Sequence, residues 1–203
     1  MSRKMWMNRK TLVLFALAAV VLPGCSETVR TGRASSYLII DRLTAADTAD
    51  EESDELSSDV QTHGGRVEDI GLATFRLAMK DVGTPDNPAA PTVNNHITVN
   101  RYRVSYRRTD GRNTPGVDVP YAFEGAGTVT VSNTASLAFV LVRVQAKGEP
   151  PLKQLAAGGG AQVISTIADV TFYGRDQTGS ETTVTGSISV NFADWADPPG
   201  GSE

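Results

Sequence analysis

The sequence predicts an all-β protein, an antiparallel sandwich of roughly seven to nine strands that follows a cleaved N-terminal segment. Apolar and polar residues alternate with a period of two in several short segments, which is typical of strands with one buried face. Gly, Asp, Asn and Pro separate these segments, and only residues 149–157 have a helical pattern. Many short strands with almost no helix favour two packed sheets.

Residues 1–24 have the layout of a secretory signal. Four of the first ten residues are Lys or Arg and none is acidic, and residues 11–22 are almost wholly apolar. A basic start followed by about 7–15 apolar residues is typical of a signal peptide, whereas a membrane-spanning helix needs about 20. Pro23 and Gly24 then end the apolar segment, where a peptidase needs extended chain. We therefore expect residues 1–24 to be removed.

Residues 22–25 indicate the type of signal. Leu22-Pro23-Gly24-Cys25 resembles the lipobox of bacterial lipoproteins, which has an aliphatic residue, a variable one, a small one and then the modified cysteine. The resemblance implies a diacylglycerol thioether on Cys25, cleavage before Cys25 and, often, acylation of the freed amine. Two or more acyl chains anchor a protein stably, whereas one chain binds a membrane reversibly. The alternative is an ordinary secretory signal with an incidental cysteine.

The single cysteine agrees with lipidation. Cys25 is the only cysteine of the chain, so the exported domain has no internal disulfide, and the lipid consumes a thiol that would otherwise be left over. Ser26 resembles the default outer-membrane sorting residue of hosts with two membranes. We therefore expect a lipid-anchored protein of the cell envelope, in the outer membrane if the host has two.

The net negative charge of the chain argues against nucleic acid as a partner. Residues 1–24 hold four of the 19 basic residues and none of the 23 acids, so their removal shifts the formal charge from −4 to −8. A nucleic-acid binder needs clustered positive charge to displace counterions, and we predict no nucleic-acid partner. The acidic balance also gives no polybasic help at a membrane surface, so the lipid supplies the contact.

The exported part is predicted to be one domain between two polar ends. Residues 25–35 are the lipidated cysteine and a polar tether, residues 36–195 the sandwich, and residues 196–203 a flexible C-terminal tail. Residues 36–43 (SYLIIDRL) predict a buried first strand. Residues 44–59 are rich in acids and poor in hydrophobic side chains, which predicts a mobile acidic loop.

Two later segments have informative irregularities. In residues 97–106 the apolar positions change parity, and a β-bulge near Asn100-Arg101 would produce that change. Residues 117–123 alternate but contain Pro120, which predicts an edge strand.

The remaining strand segments alternate regularly, apart from residues 137–144 (LAFVLVRV), which are apolar on both faces and are predicted to be the most buried strand. In order, these segments are residues 73–79, 128–132, 137–144, 168–172 and 184–192.

The closing hairpin carries a second resemblance. Residues 169–180 (DVTFYGRDQTGS) resemble the last hairpin of immunoglobulin-like and fibronectin type III-like domains of bacterial surface proteins, an aromatic strand followed by Asp, two residues, Gly and Ser. The chain lacks the cysteine pair and central tryptophan of antibody domains, so the resemblance implies the disulfide-free branch. The whole exported region is similar to uncharacterised bacterial lipoproteins, which implies a fold but no activity.

Motifs for catalysis and for cofactors or metals are scarce. The sequence has no Gly-x-Ser-x-Gly and no unmodified cysteine after lipidation, and its two histidines, His63 and His96, lie among loop residues. We predict no catalytic residues, no cofactor and no metal, because zinc needs three or four ligands. Structural calcium is the alternative, held by turn aspartates, although such residues usually cap their own backbone. These aspartates are Asp110, Asp118, Asp176, Asp194 and Asp197.

One surface feature suggests a function. Arg101, Arg103 and Arg107 share the outward parity of one strand, with Arg108 and Arg112 close by. Guanidinium groups bind carboxylates or phosphates in a bidentate manner, so this stripe predicts a docking face for an acidic envelope protein or an anionic glycan. The plainer interpretation is a solvated strand face whose arginines pair with neighbouring acids.

The functional hypothesis is therefore a membrane-anchored, non-catalytic lipoprotein that presents a binding or assembly surface. The alternative is an envelope enzyme that acts on glycans through paired carboxylates, which requires two carboxylates facing each other across a cleft. A small-ligand carrier would need an apolar cavity between the sheets, which regular alternation with few aromatic residues does not favour.

Overall fold

Strands make up most of the described chain. The computed structural model describes residues 34–46, 52–62, 65–156 and 161–195. Within these residues, one four-residue α-helix, α1 (Val144–Lys147), and two short 3-10 helices, Val93–Asn95 and Leu152–Gln154, accompany the strands. The strands are β1 (Ser36–Ala46), β2 (Glu52–Ser53), β3 (Glu55–Asp59), β4 (Asp69–Met79), β5 (Gly83–Thr84), β6 (Asn87–Pro88), β7 (Ile97–Arg107), β8 (Phe123–Val131), β9 (Thr134–Val142), β10 (Ile164–Asp176) and β11 (Glu181–Ala193).

The longer strands form two packed sheets, so the all-β sandwich prediction is confirmed. One sheet has the order β2-β1-β4-β9 and the other the order β3-β11-β10-β7-β8, while β5 and β6 form a separate short hairpin. All pairs in the two sheets are antiparallel except β3 with β11, which is parallel. The chain crosses between the two sheets at β2–β3, β3–β4, β4–β7, β8–β9 and β9–β10, and the hairpins β7–β8 and β10–β11 both lie in the five-stranded sheet.

Aromatic side chains from both sheets meet in the core. Phe75 and Phe172 contact each other edge to face with ring centroids 4.9 Å apart, and Phe139 lies 5.3 Å from Phe172 in the same geometry. Tyr102 packs 5.3 Å from Phe139. Each such pair adds about 0.5–1.5 kcal/mol beyond the burial of its area. The rings therefore hold β4 and β9 of one sheet against β7 and β10 of the other.

The bulge predicted in residues 97–106 is confirmed. Val99 and Tyr102 both point into the core, and the ladders of β7 shift register beside Asn100, with β8 and with β10 alike. The extra residue restores the inward parity of the following side chains. Arg101 consequently points outward.

The closing hairpin is also confirmed. In β11 the side chains of Ile188, Val190 and Phe192 are buried, and those of alternate positions face solvent. The turn depends on Asp176, whose Oδ1 accepts hydrogen bonds from the backbone N–H groups of Thr178 and Ser180, both at 2.9 Å. This is the local capping that turn aspartates usually provide.

The acidic segment 44–59 differs from its prediction as a loop. Strand β1 extends to Ala46, and two further strands, β2 and β3, follow. Leu56 and Ser58 point inward on β3 and are fully buried, while Glu55 stays exposed. Alternation lets the apolar face join the core while the like charges remain in water, and pairing with β11 supplies the backbone hydrogen bonds.

Residues 117–123 do not form the predicted edge strand, because β8 begins only at Phe123. Backbone bonds close turns here instead: Gly116 has a positive φ of 75° and its N–H donates to the Val119 carbonyl at 2.8 Å. Pro120 follows directly and has no N–H to donate to a ladder. The alternating valines therefore lie in turns, where Val119 is buried and Val117 is exposed.

The segment 137–144 is not the most buried strand. Its β-structure, β9, ends at Val142 and lies at the edge of the four-stranded sheet. Two tyrosines of β7 bond to its backbone: the Tyr102 hydroxyl accepts the Val140 N–H at 3.1 Å, and the Tyr106 hydroxyl donates to the Leu141 carbonyl at 2.6 Å. The edge is thereby protected without a neighbouring strand, and its apolar residues fit both environments. Within the segment 149–157, which was predicted to be helical, the described residues form only the 3-10 helix Leu152–Gln154, and α1 ends before the segment begins.

Several predictions lie outside the described residues: the lipobox with Cys25, the tether up to residue 33, His63, Asp197 and the tail 196–203. In the part of the chain that the structure describes, no helix is long and apolar enough to cross a membrane.

Candidate functional site: the outer face of the five-stranded sheet

The outer face of the five-stranded sheet is polar and rich in hydroxyl groups. Hydroxyls pair across neighbouring strands, Thr98 with Thr130 and Thr171 with Thr185, each at 2.9 Å. Such cross-strand pairs order the side chains of an exposed sheet face. The Ser and Thr residues of this face are Ser57, Thr98, Ser105, Thr128, Thr130, Ser165, Thr171, Thr183, Thr185, Ser187 and Ser189.

The structure places Arg101, Arg103 and Arg107 together on this face, all exposed on β7. Arg101 and Arg103 bind the same carboxylate, that of Glu124 on β8, at 3.2 and 3.7 Å. Both arginine side chains are half exposed. Two guanidinium groups thus share one acid, and this part of the face retains a surplus positive charge.

Arg101 is held in place by an aromatic ring. Its guanidinium carbon lies 4.1 Å from the centroid of the Tyr173 ring on β10, directly across the ladder. A planar guanidinium stacks well on an aromatic face, at about 0.5–1 kcal/mol for exposed sites. The stack keeps the Arg101 side chain against the sheet, so less conformational entropy is lost when an anion binds it.

Arg107 differs from Arg101 and Arg103 because it does not share its carboxylate partner, Asp169, with another arginine of the stripe. Its Nε donates to Asp169 Oδ2 at 2.7 Å, and the Ser187 hydroxyl donates to Asp169 Oδ1 at 2.6 Å. Partial burial would raise the pKa of Asp169, but these two hydrogen bonds outweigh burial, and the pKa lies below its ordinary value. Asp169 is therefore ionised and neutralises Arg107.

The nearby arginines Arg108 and Arg112 are not part of the stripe. Both bind Asp110 in the loop after β7, with closest distances of 2.6 and 3.1 Å. The hydrogen bond from Arg108 is the main reason that the pKa of Asp110 is well below its usual range, and Arg112 adds to the effect.

A fourth arginine on this face was missed by the sequence interpretation. Arg175 of β10 donates from Nη2 to Glu181 of β11 at 2.6 Å across the closing hairpin. With Arg101, Tyr173 and Asn100 it lines an open depression of about 480 Å³ beside the bulge. No local signal relates Arg175 to Arg101, because only the register of β10 with β7 brings the two together.

The other sequence candidates do not converge. Asp118 accepts the Thr114 N–H at 3.2 Å, and Asp176 caps its own turn. His96 lies at the end of a 3-10 helix, where its N–H donates to the Val93 carbonyl. Among the described residues, no group of three His, Cys, Asp or Glu side chains is arranged to hold a metal ion.

A buried ion pair was also missed. Lys147 Nζ lies 2.8 Å from Asp69 Oδ1, with side chains 0% and 1% exposed, and the Ser58 hydroxyl donates to Asp69 Oδ2 at 2.6 Å. The pair joins α1 to β4, and Ser58 adds β3. Its partners lie far apart in sequence, so nothing local in the chain indicates it.

No known protein-family model matches this chain, and no curated protein is significantly similar to it in sequence.

Proposed function

We propose that this protein is a non-catalytic, lipid-anchored lipoprotein of the cell envelope whose five-stranded sheet presents a binding surface to an acidic partner, an envelope protein or an anionic glycan. One observation carries the binding part of the proposal. Arg101 and Arg103 share the single carboxylate of Glu124, so a surplus cation stands half exposed on this face, beside the bulge. An incoming carboxylate or phosphate satisfies that cation at little cost, since exposed ion pairs are worth only about 0–1 kcal/mol.

Anchoring rests on the sequence. The apolar segment 11–22, the lipobox residues and the single cysteine all support attachment through Cys25. The acidic balance of the exported part supports a contact made by lipid rather than by charge.

The domain itself is proposed to be related to immunoglobulin-like sandwiches. Two packed, mostly antiparallel sheets of mostly long strands, with hairpins within a sheet and crossings between sheets, support that relationship. The absence of cysteine from residues 26–203 agrees with the disulfide-free branch.

The proposal of a non-catalytic role has its own support on this face. A glycan-cleaving enzyme needs one carboxyl group with a raised pKa to act as the general acid. The pKa of Asp169 is shifted in the opposite direction, and Glu124 and Glu181 are both bound to arginines. These contacts suit carboxylates that position arginines.

Binding is tested by crosslinking in intact cells. A photo-crosslinking residue at Thr171, in the middle of the outer face, should trap a discrete partner, and one at Ser136, on the outer face of the other sheet, should not. Arg101→Glu combined with Arg103→Glu should abolish the adduct. Arg76→Glu is the matched control, because Arg76 is an exposed, ion-paired arginine on the opposite sheet. An undiminished adduct in the double variant would sink the proposal.

Anchoring is tested separately by membrane fractionation and by the mass of the N-terminal peptide. The wild type should sediment with membranes and carry acyl chains on Cys25, whereas Cys25→Ser should be released. If both forms are equally soluble, the lipoprotein assignment is wrong.

A further inference from the structure

The end of the sandwich beside the bulge has two adjoining depressions. The first, of about 480 Å³, is lined by Asn100, Arg101, Tyr173, Arg175 and the start of β11. The second, of about 310 Å³, is lined by Tyr37, Lys80 and the same first residues of β11. Glu181, Thr182 and Thr183 thus form a shared rim between them. Strands β1, β7, β10 and β11 contribute, together with Lys80 just after β4, so tertiary folding alone assembles this region.

The two depressions are lined by the same kinds of side chain. Each has one tyrosine and at least one cationic side chain: Arg101 and Arg175 with Tyr173 line the first, and Lys80 with Tyr37 lines the second. In the first, the Tyr173 ring is covered by Arg101; in the second, Tyr37 is 42% exposed. An exposed ring offers an apolar platform, and cations beside it attract an acidic group.

The shared rim supplies both donors and acceptors. Glu181 accepts a hydrogen bond from Arg175, and its carboxylate has further acceptor sites for hydroxyl donors. Thr182 and Thr183 add hydroxyl groups that donate or accept. The Arg175 guanidinium has five N–H donors, of which one bonds to Glu181. A ligand matched to this rim therefore has many hydroxyl groups as well as negative charge.

We propose that this end of the sandwich is a two-unit subsite for an anionic glycan, with a carboxylate-bearing sugar in the Arg101–Arg175 depression and the next sugar ring against Tyr37. The inference rests on the proposed function and names the ligand class of the same surface. A glycan is favoured over an acidic protein because the rim combines a carboxylate with hydroxyls. The negative charge of Glu181 disfavours either acidic ligand, but a glycan also offers many hydroxyl groups that can donate to this carboxylate.

The test is calorimetric titration of the full chain carrying Cys25→Ser with a defined oligogalacturonate. The protein without further substitutions should bind the oligogalacturonate. Binding should weaken as the salt concentration is raised from about 50 to about 500 mM, because salt screens interactions between exposed charges. Arg175→Gln should raise the Kd about tenfold or more, since it removes charge-assisted hydrogen bonds. Tyr37→Ala should raise it about threefold through the lost ring contact.

Two matched controls lie outside this end of the sandwich. Arg112→Gln removes an exposed, ion-paired arginine of the loop after β7, and Tyr121→Ala removes an exposed tyrosine, 51% accessible, in the segment before β8. Both should leave the Kd unchanged. A similar loss in these controls would show that binding is non-specific charge attraction and would overturn the subsite.

A third titration separates this proposal from the general one. A poly-glutamate peptide of the same charge should bind at least about tenfold more weakly than the oligogalacturonate. If the peptide binds as well and Arg175→Gln affects both equally, the glycan subsite is wrong while the acidic-partner function stands. If neither probe binds, yet crosslinking at Thr171 persists, the subsite alone fails. If both fail, the binding face itself is wrong.

Discussion

Two sets of ion pairs in this molecule have the same chemistry and opposite surroundings. The Asp69–Lys147 pair is fully buried and joins α1 and β4, with Ser58 of β3 as a further partner. The pairs of the outer face are open to solvent: both side chains of Arg101–Glu124 are about half exposed, and in Arg107–Asp169 the acid is 28% exposed. The buried pair determines how its elements are arranged, whereas the exposed pairs can exchange their partners.

The two sets of ion pairs differ because their charges are hydrated to different extents. Removing two charges from water costs several kcal/mol per ion, so a buried pair is strongly destabilised when one member is lost. An exposed pair keeps its hydration, and its members exchange partners at little cost. The exposed pairs of the outer face can therefore exchange a partner at little free-energy cost, as a binding surface requires. The buried pair instead stabilises the arrangement of the elements that it joins.

The largest effect is expected when the buried pair loses its ammonium group. Lys147→Met should lower the free energy of unfolding by about 3–5 kcal/mol, because the Asp69 carboxylate is left in the interior without its cation. Urea denaturation followed by circular dichroism measures the change. The double variant Lys147→Met with Asp69→Leu should recover most of the loss. A double variant as unstable as the single one would show that packing rather than charge accounts for the effect.

An intermediate effect is expected at a buried but uncharged contact. Tyr106 is almost fully buried, burial together with the nearby Asp69 raises its pKa well above the ordinary value, and its hydroxyl donates to the Leu141 carbonyl. Tyr106→Phe should cost about 1–3 kcal/mol, because it leaves a buried carbonyl without a donor. Tyr121→Phe, an exposed tyrosine, is the matched control in the same denaturation experiment and should show no change. Equal changes in both variants would contradict the argument.

The smallest effect is expected on the outer face, and it depends on pH. Because the pKa of Asp169 is lowered in the folded state, its ionised form stabilises the protein above the unfolded pKa of about 3.9, and that contribution is lost as pH falls through the folded value. Asp169→Asn should therefore be slightly less stable than wild type at pH 6, by less than Tyr106→Phe. The difference should shrink at about pH 3.

The stability measurements at pH 6 and about pH 3 also test whether charge is the origin of the effect. If the difference between Asp169→Asn and wild type is as large at pH 3 as at pH 6, charge is not its origin. Ser187→Ala should show a weaker version of the same pH dependence, because Arg107 still holds the carboxylate.

Local pattern was sufficient for much of the fold and for one part of the site. Alternation identified the long strands, and the change of parity at Asn100-Arg101 located the bulge and hence the outward direction of Arg101 and Arg103. These features depend on neighbours one or two residues apart, which is the range over which strand periodicity acts. Where that range was exceeded, the predictions were wrong: residues 117–123 alternate yet form turns, and the acidic segment around Leu56 forms a strand.

The all-β character, the bulge, the closing hairpin and the outward stripe of arginines could be predicted from the sequence alone, because each follows from periodicity or turn chemistry within one segment. The folded structure was needed to show that Arg101 and Arg103 share Glu124, that Arg175 joins Arg101 beside the bulge, and that Lys147 meets Asp69 in the interior. Those contacts depend on strand register and on packing between sheets. They arise from residues 21 to 78 positions apart, from Arg103 with Glu124 to Asp69 with Lys147, and no local periodicity extends so far.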